Sequence, residues 1–222
     1  MRRFAIILIL LLAAAGAFSG DLGLGVSGGY VLNETSTSLA SPAVSSETRF
    51  THVPFGAWVY GDAGIFLVSF GYTQFTFSHQ LWTQTVLGTT TTIVDAGTGT
   101  GGYLAYALYG KYPFALGALT LSPLFGFEVD LNVLLLDAGG NDLRLGMNDA
   151  QKAGQNQLWI KAGAALDYAL TERAYVRSEI LVGYKLRSFG EQQAYLAATH
   201  AGFDVVLFSM RSDLSMMVGL KF

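Results

Sequence analysis

The chain closes on LSMMVGLKF, Leu214–Phe222. Leu214, Met216, Val218, Leu220 and Phe222 share one parity, while Ser215, Met217, Gly219 and Lys221 share the other. A period of two marks a strand whose two faces meet different surroundings. Chain ends fray unless they are tied down. The pattern therefore predicts a paired closing strand that carries its apolar face to Phe222.

Composition narrows what that face meets. Of 222 residues, 51% are hydrophobic and 13% charged, about half the usual ~25% charge content. After the N-terminus no run reaches the ~18 apolar residues that a membrane-spanning helix needs. The N-terminus itself reads as an export signal. Arg2 and Arg3 precede the apolar run Phe4–Leu12, and small residues follow. Cleavage after Ala17 or Ser19 fits this pattern. The expected organisation is a signal segment, 1–20, followed by one β domain, 21–222. Without cysteine there is neither a disulfide framework nor a thiol for lipidation. Removing Arg2 and Arg3 leaves 11 basic against 16 acidic residues, which argues against nucleic acid as a partner.

The alternation recurs upstream. Leu22, Leu24, Val26 and Tyr30 oppose Gly23, Gly25, Ser27 and Gly29; Phe66, Val68, Phe70 and Tyr72 form another apolar set. Leu104, Tyr106, Leu108 and Tyr112 oppose Lys111. Between Leu119 and Leu135 the odd positions are apolar, whereas Glu128 and Asp130 are even. Leu158, Ile160, Leu166 and Tyr168 oppose Lys161 and Asp167; Val176, Ile180, Val182, Tyr184 and Leu186 oppose Arg177, Glu179, Lys185 and Arg187. Arg211 and Asp213 extend the polar face of the closing strand. VPFGAWVYG, 53–61, is strand-like with ambiguous parity, and completes a set of eight strands.

All twelve charges in the five windows from Tyr103 onward lie opposite the apolar faces, an outcome expected by chance about once in a hundred on period-two strands. Aromatic-rich faces free of charge, opposed by glycine, alanine and charges of both signs, fit an eight-stranded antiparallel transmembrane β-barrel with lipid outside and a polar interior. Short connections at Gly61–Gly64, Pro113–Ala118 and Thr171–Arg173 are expected on the periplasmic side. Four long loops, near Asn33–His52, His79–Gly101, Leu136–Gln157 and Ser188–Gly202, are expected at the cell surface. Tyr60, Phe66, Tyr112, Phe114, Tyr168 and Phe222 stand beside the short turns or the C-terminus, as a periplasmic aromatic girdle requires, and Tyr30, Tyr72 and Tyr184 stand near the other ends.

Eight strands enclose a narrow interior filled by side chains, and charges there must pair. Residues equidistant from Glu172 oppose one another across the Thr171–Arg173 turn, which predicts an Asp167–Arg177 salt bridge. Glu128, Asp130, Lys161, Lys185 and Arg187 are expected in a second mixed cluster, with Glu179 also facing inward. Pro123 predicts a bulge or a missing ladder bond, because a closed barrel has no free edge for proline. Pro54 stands near the outer end of the second strand. One of the two is expected to mark a local wall defect through which an apolar solute passes sideways into lipid. His52, His79 and His200 lie in or beside long loops, with Ser78 next to His79, and their spacing specifies no catalytic set. GTGTGG at Gly97–Gly102 precedes a strand, so no dinucleotide fingerprint forms. Neither a metal nor a cofactor is expected.

Taken together, the signal segment, the eight alternating segments and the terminal aromatic resemble the small bacterial outer-membrane barrels of the OmpA, OmpX and OmpW type, the OmpW type most closely. The resemblance implies insertion by the outer-membrane barrel assembly machinery, with Leu214, Met216, Val218, Leu220 and Phe222 as the recognised pattern. It also implies bacterial outer-membrane localisation, with the lipid bilayer as the principal partner. The OmpW type is associated with uptake of small hydrophobic molecules, so a narrow passage or structural barrel is the leading expectation. A surface protein that binds extracellular ligands through its long loops and a lipid-modifying enzyme are the alternatives.

Overall fold

A computed structural model describes residues 20–39, 44–86, 89–95, 99–137, 139–189 and 204–221. Nearly all of the expected signal segment, together with His200 and Phe222, lies outside these residues.

The strands are β1 (Asp21–Leu39), β2 (Val44–Asp62), β3 (Phe66–Val86), β4 (Thr89–Asp95), β5 (Thr100–Lys111), β6 (Phe114–Leu116), β7 (Leu119–Leu136), β8 (Asn156–Ala169), β9 (Ala174–Phe189) and β10 (Asp204–Leu220). Eight of them form the wall, in the order β1-β2-β3-β5-β7-β8-β9-β10, all antiparallel. The ring closes because β1 pairs with both neighbours, Leu24 facing Val218 of β10 on one side and Val59 of β2 on the other. Closure leaves the wall without edges, the condition for placing a sheet in hydrocarbon. β6 continues the line of β5 along β7, and β4 pairs with β3 beyond the point where β5 begins.

Short turns join the strands at one end. Gly64 has φ +84° and Gly117 φ +69°, a left-handed backbone that glycine adopts without Cβ strain. Asp62 Oδ1 accepts the Gly64 N–H at 3.0 Å. In the third turn, Thr171 Oγ1 accepts from Arg173 N and Ala174 N. At the opposite end β1, β2 and β3 run well past the limits the sequence suggests. Residues 33–39, 44–52 and 79–86, expected in loops, are paired strand. Their sequence puts polar residues on both parities, so the two-faced signal disappears while the pairing continues. The connection between β7 and β8 holds a 3₁₀ turn (Leu143–Gly146) and one short helix, α1 (Asp149–Gly154), capped by Asn148.

Side chains sort by parity. Leu24, Val26, Phe55, Val68, Leu108, Phe125, Phe127, Ile180, Val182, Leu214, Met216 and Val218 are exposed on the outer surface. An apolar band this broad far exceeds the patches found on soluble monomers. The core lies inside the barrel, where Leu67, Leu124, Leu181, Tyr109, Tyr175 and Met217 pack together.

Candidate functional site

The interior is the site where this sequence concentrates its chemistry. Near the short turns, β8 and β9 place Asp167 opposite Arg177. Arg177 Nε donates to Asp167 Oδ1 at 2.6 Å and Nη2 to Oδ2 at 2.8 Å, the two-pronged geometry a guanidinium offers a carboxylate. Nη2 also donates to Asp62 Oδ2 at 2.6 Å, and Lys111 Nζ donates to the same Asp62 oxygen. The Arg177 guanidinium lies over the rings of Tyr60 and Tyr175, with centroids at 4.9 and 5.4 Å. The cation therefore lies within reach of the π density of both rings.

A second layer lies deeper. Lys161 Nζ donates to Glu128 Oε2 at 2.6 Å and to Asp213 Oδ2 at 2.7 Å. Arg211 Nη1 donates to Glu128 Oε1 and Asp130 Oδ2, each at 2.9 Å, and its Nε donates to Asp213 Oδ1 at 2.7 Å. Tyr109 OH and Trp159 Nε1 add hydrogen bonds to Glu128 and Asp130. Lys161, Glu128 and Asp130 are each no more than 2% exposed. Charges so deeply buried persist only with such partners. Beyond them, Gln157 Nε2 donates to Tyr103 OH at 2.8 Å.

Bulky interior groups fit because glycine faces them from neighbouring strands. A Cβ on Gly23 would lie 2.2 Å from the Tyr60 ring, and one on Gly219 would lie 2.2 Å from the Tyr175 ring.

The structure brings Asp167 to Arg177 and Glu128 to Lys161, and Asp130 joins that cluster through Arg211. The sequence pattern missed the meeting of Asp62 and Lys111 with Arg177, and the place of Arg211 and Asp213 in the second layer. Glu179 is buried, its Oε1 3.9 Å from Arg177 Nε. Lys185 stands opposite Trp159 of β8, two residues farther toward the long-loop end than Gly183, which faces Lys161. The Arg187 side chain lies outside the described residues.

Tyr60 corrects the girdle. It is 1% exposed and points inward with Trp58 and Asp62, whereas Phe55 on the alternate parity is exposed. The 53–61 window carries aromatics on both faces, which hid its sense; the parity of Asp62, shared with Tyr60, was the available signal. Phe66, Tyr112, Phe114 and Tyr168 are exposed beside the short turns, and Tyr30, Tyr72 and Tyr184 are exposed nearer the other end. Leu214, Met216, Val218 and Leu220 form the exposed face of β10, and Lys221 N donates to Arg173 O at 2.8 Å to hold the strand end.

Of the two outcomes expected at Pro123, the bulge is absent and the missing ladder bond is present. Pro123 faces Ala164 of β8 in unbroken register, and its carbonyl accepts from Tyr112 N at 3.3 Å. Its missing donor falls at the junction of β5 and β6, where Pro113 already interrupts the strand. The bulge of β5–β7 lies instead between Gly102 and Tyr103. At Pro54 the β1–β2 ladder does lapse. Pairing stops at Gly28–Phe55 and resumes at Val31–His52, leaving Gly29 and Tyr30 unpaired with Pro54 and Val53.

Thr51 pairs with His79 and His52 with Phe77, and the register shifts between Thr51 and His52. Among the described residues no cluster of three potential metal ligands occurs.

The chain matches no protein-family model and no curated protein. Among solved structures it is similar to the outer membrane protein OprG from Pseudomonas aeruginosa, at 13% identity over 92% of this chain and 96% of that one, TM-score 0.45. It is also similar to Neisserial surface protein A, at 10% identity over 90% and 97%, TM-score 0.40. A third likeness is to Ail, the attachment invasion locus protein of Yersinia pestis, at 11% identity over 92% and 99%, TM-score 0.36.

Proposed function

We propose that this chain is an integral outer-membrane barrel whose lumen is closed by its own charge network, so that it serves as a structural or anchoring wall element and not as an aqueous pore. The apolar outer band supports the membrane placement, since a closed barrel with this surface is matched to hydrocarbon. The observation that carries the closure is the second layer, in which Arg211 of β10 reaches Glu128 and Asp130 of β7 across the interior, with Lys161 of β8 joining Glu128 to Asp213. Ion transit would require these buried pairs to separate, at several kcal/mol each.

The test is a planar-bilayer recording of the refolded full chain beside Arg211→Ala. The closed lumen predicts no stable conductance from the parent chain and intermittent opening from the variant. A large steady conductance from the parent would refute it.

The lapse at Pro54 favours a second reading, lateral passage of a small apolar solute. Tyr30 and Val53 are exposed on the outer wall beside it, and Gly28 next to the lapse meets open space where a Cβ would stand. The chain has no cysteine, so a Tyr30→Cys, Val53→Cys pair can be oxidised without competing thiols. Lateral passage predicts that proteoliposome uptake of a small apolar solute falls on oxidation and returns on reduction. Uptake insensitive to oxidation would remove this reading.

A further inference from the structure

Between the two charged layers lies a cavity of about 20 Å³, room for one water-sized occupant. Ser27, Ser69 and Ser215 and the acidic residues Glu128, Glu179 and Asp213 are among those that line it. Glu179 is 3% exposed, and its Oε1 has no hydrogen-bond partner. The nearest cation is Arg177, whose Nε stands 3.9 Å away and is committed to Asp167 at 2.6 Å. Lys161 also touches the cavity, but its ammonium is held by Glu128 and Asp213 at 2.6 and 2.7 Å.

Charge in the layers is unbalanced. The lower one sets Asp62, Asp167 and Glu179 against Lys111 and Arg177; the upper one sets Glu128, Asp130 and Asp213 against Lys161 and Arg211. Each has one carboxylate more than it has cations, and the carboxylate of the lower layer farthest from a cation, Glu179, is the one facing the cavity. A buried carboxylate oxygen with no donor, its nearest cation 3.9 Å away and shared with Asp62 and Asp167, is costly. The three serines that line the same cavity can offer neutral oxygen ligands of the kind hard cations prefer. The Ser27 hydroxyl accepts Trp58 Nε1 at 2.6 Å and keeps a second lone pair.

We propose that this cavity binds one dehydrated monovalent cation of the sodium class, with Glu179 as its anionic ligand and Ser27, Ser69 and Ser215 as neutral ligands. A single charge matches the single excess carboxylate of the lower layer, and the volume excludes a hydrated ion. The bound ion would join the two layers into one electrostatic unit and so strengthen the plug.

The test uses the full chain refolded in detergent micelles, with urea unfolding followed in sodium chloride, potassium chloride and choline chloride at equal ionic strength. Choline is too large to enter. The expected result is a folding constant that rises with sodium, by up to about tenfold for each tenfold increase in concentration above half-saturation, and does not rise with choline. Glu179→Gln should abolish the difference between the salts. If that variant does not refold, Ser69→Ala, which keeps the carboxylate, should shift the response to higher sodium. Equal stability in sodium and choline overturns the proposal and leaves water as the occupant. A stability that rises on acidification without dependence on the salt cation overturns it in favour of a proton on Glu179. An undiminished sodium response in Glu179→Gln overturns the assignment of that residue.

Discussion

Arg211 on β10 reaches across the barrel to Glu128 on β7, Nη1 to Oε1 at 2.9 Å. The residues are 83 positions apart in sequence, and closure of the wall alone brings them together. Both are deeply buried, so removing one strands the other's charge. Arg211→Ala should destabilise the barrel by about 3–5 kcal/mol, read as a shift in the urea midpoint of the refolded chain. A change below about 1 kcal/mol would mean that the pair is hydrated and the lumen open.

Arg177 tests geometry as distinct from charge. Its fork holds Asp167 and Asp62 while the guanidinium lies over the rings of Tyr60 and Tyr175. Lysine keeps the charge and loses the fork and the stacking. Arg177→Lys should therefore cost about 1–3 kcal/mol, and combining it with Tyr60→Leu should cost less than the two separate losses together. Full additivity in unfolding experiments would show that the stacking carries no energy.

Glycines under the interior rings should resist even one methyl group. Gly219→Ala places its Cβ 2.2 Å from the Tyr175 ring, an overpacking expected to cost about 1–3 kcal/mol. Gly28→Ala, which meets open space, should change stability by less than about 0.5 kcal/mol. Comparison of the two midpoints separates steric fit from any general intolerance of alanine in these strands.

Asp137, in the loop after β7, should make local order depend on pH. It accepts from Asn141 Nδ2, Asn141 N and Gly139 N, and these hydrogen bonds, those from Asn141 foremost, hold its carboxyl below the usual carboxylate range. A folded value below the unfolded one gives loop stability that is present above the unfolded value and lost as pH falls through the folded one. Protection from amide exchange at Gly139 and Asn141, taken relative to the intrinsic rate at each pH, should fall on acidification, and Asp137→Asn should remove that dependence. Exchange rates that follow only the intrinsic chemistry of the amide would contradict this clasp.

Period-two parity, a local property of pleated backbone, is legible in the sequence for β1, β5 and β7–β10. It was enough to place Leu214, Phe125 and Ile180 outside and Lys161, Arg177 and Asp213 inside, and to give the Asp167–Arg177 register across a short turn. It failed for Tyr60, where aromatics occupy both faces of one strand, and for residues 33–39 and 79–86, where polar residues fall on both parities. What parity cannot give is which inward residues share a level. That depends on strand stagger and on closure of the ring, which carry Asp62 to Lys111 and Arg211 to Glu128. The local alternation of LSMMVGLKF determined which face of β10 is apolar, whereas only the closed barrel decided that Arg211 and Asp213 on its other face would complete a network begun on β7 and β8, because pairing around a ring is a property of all eight strands at once.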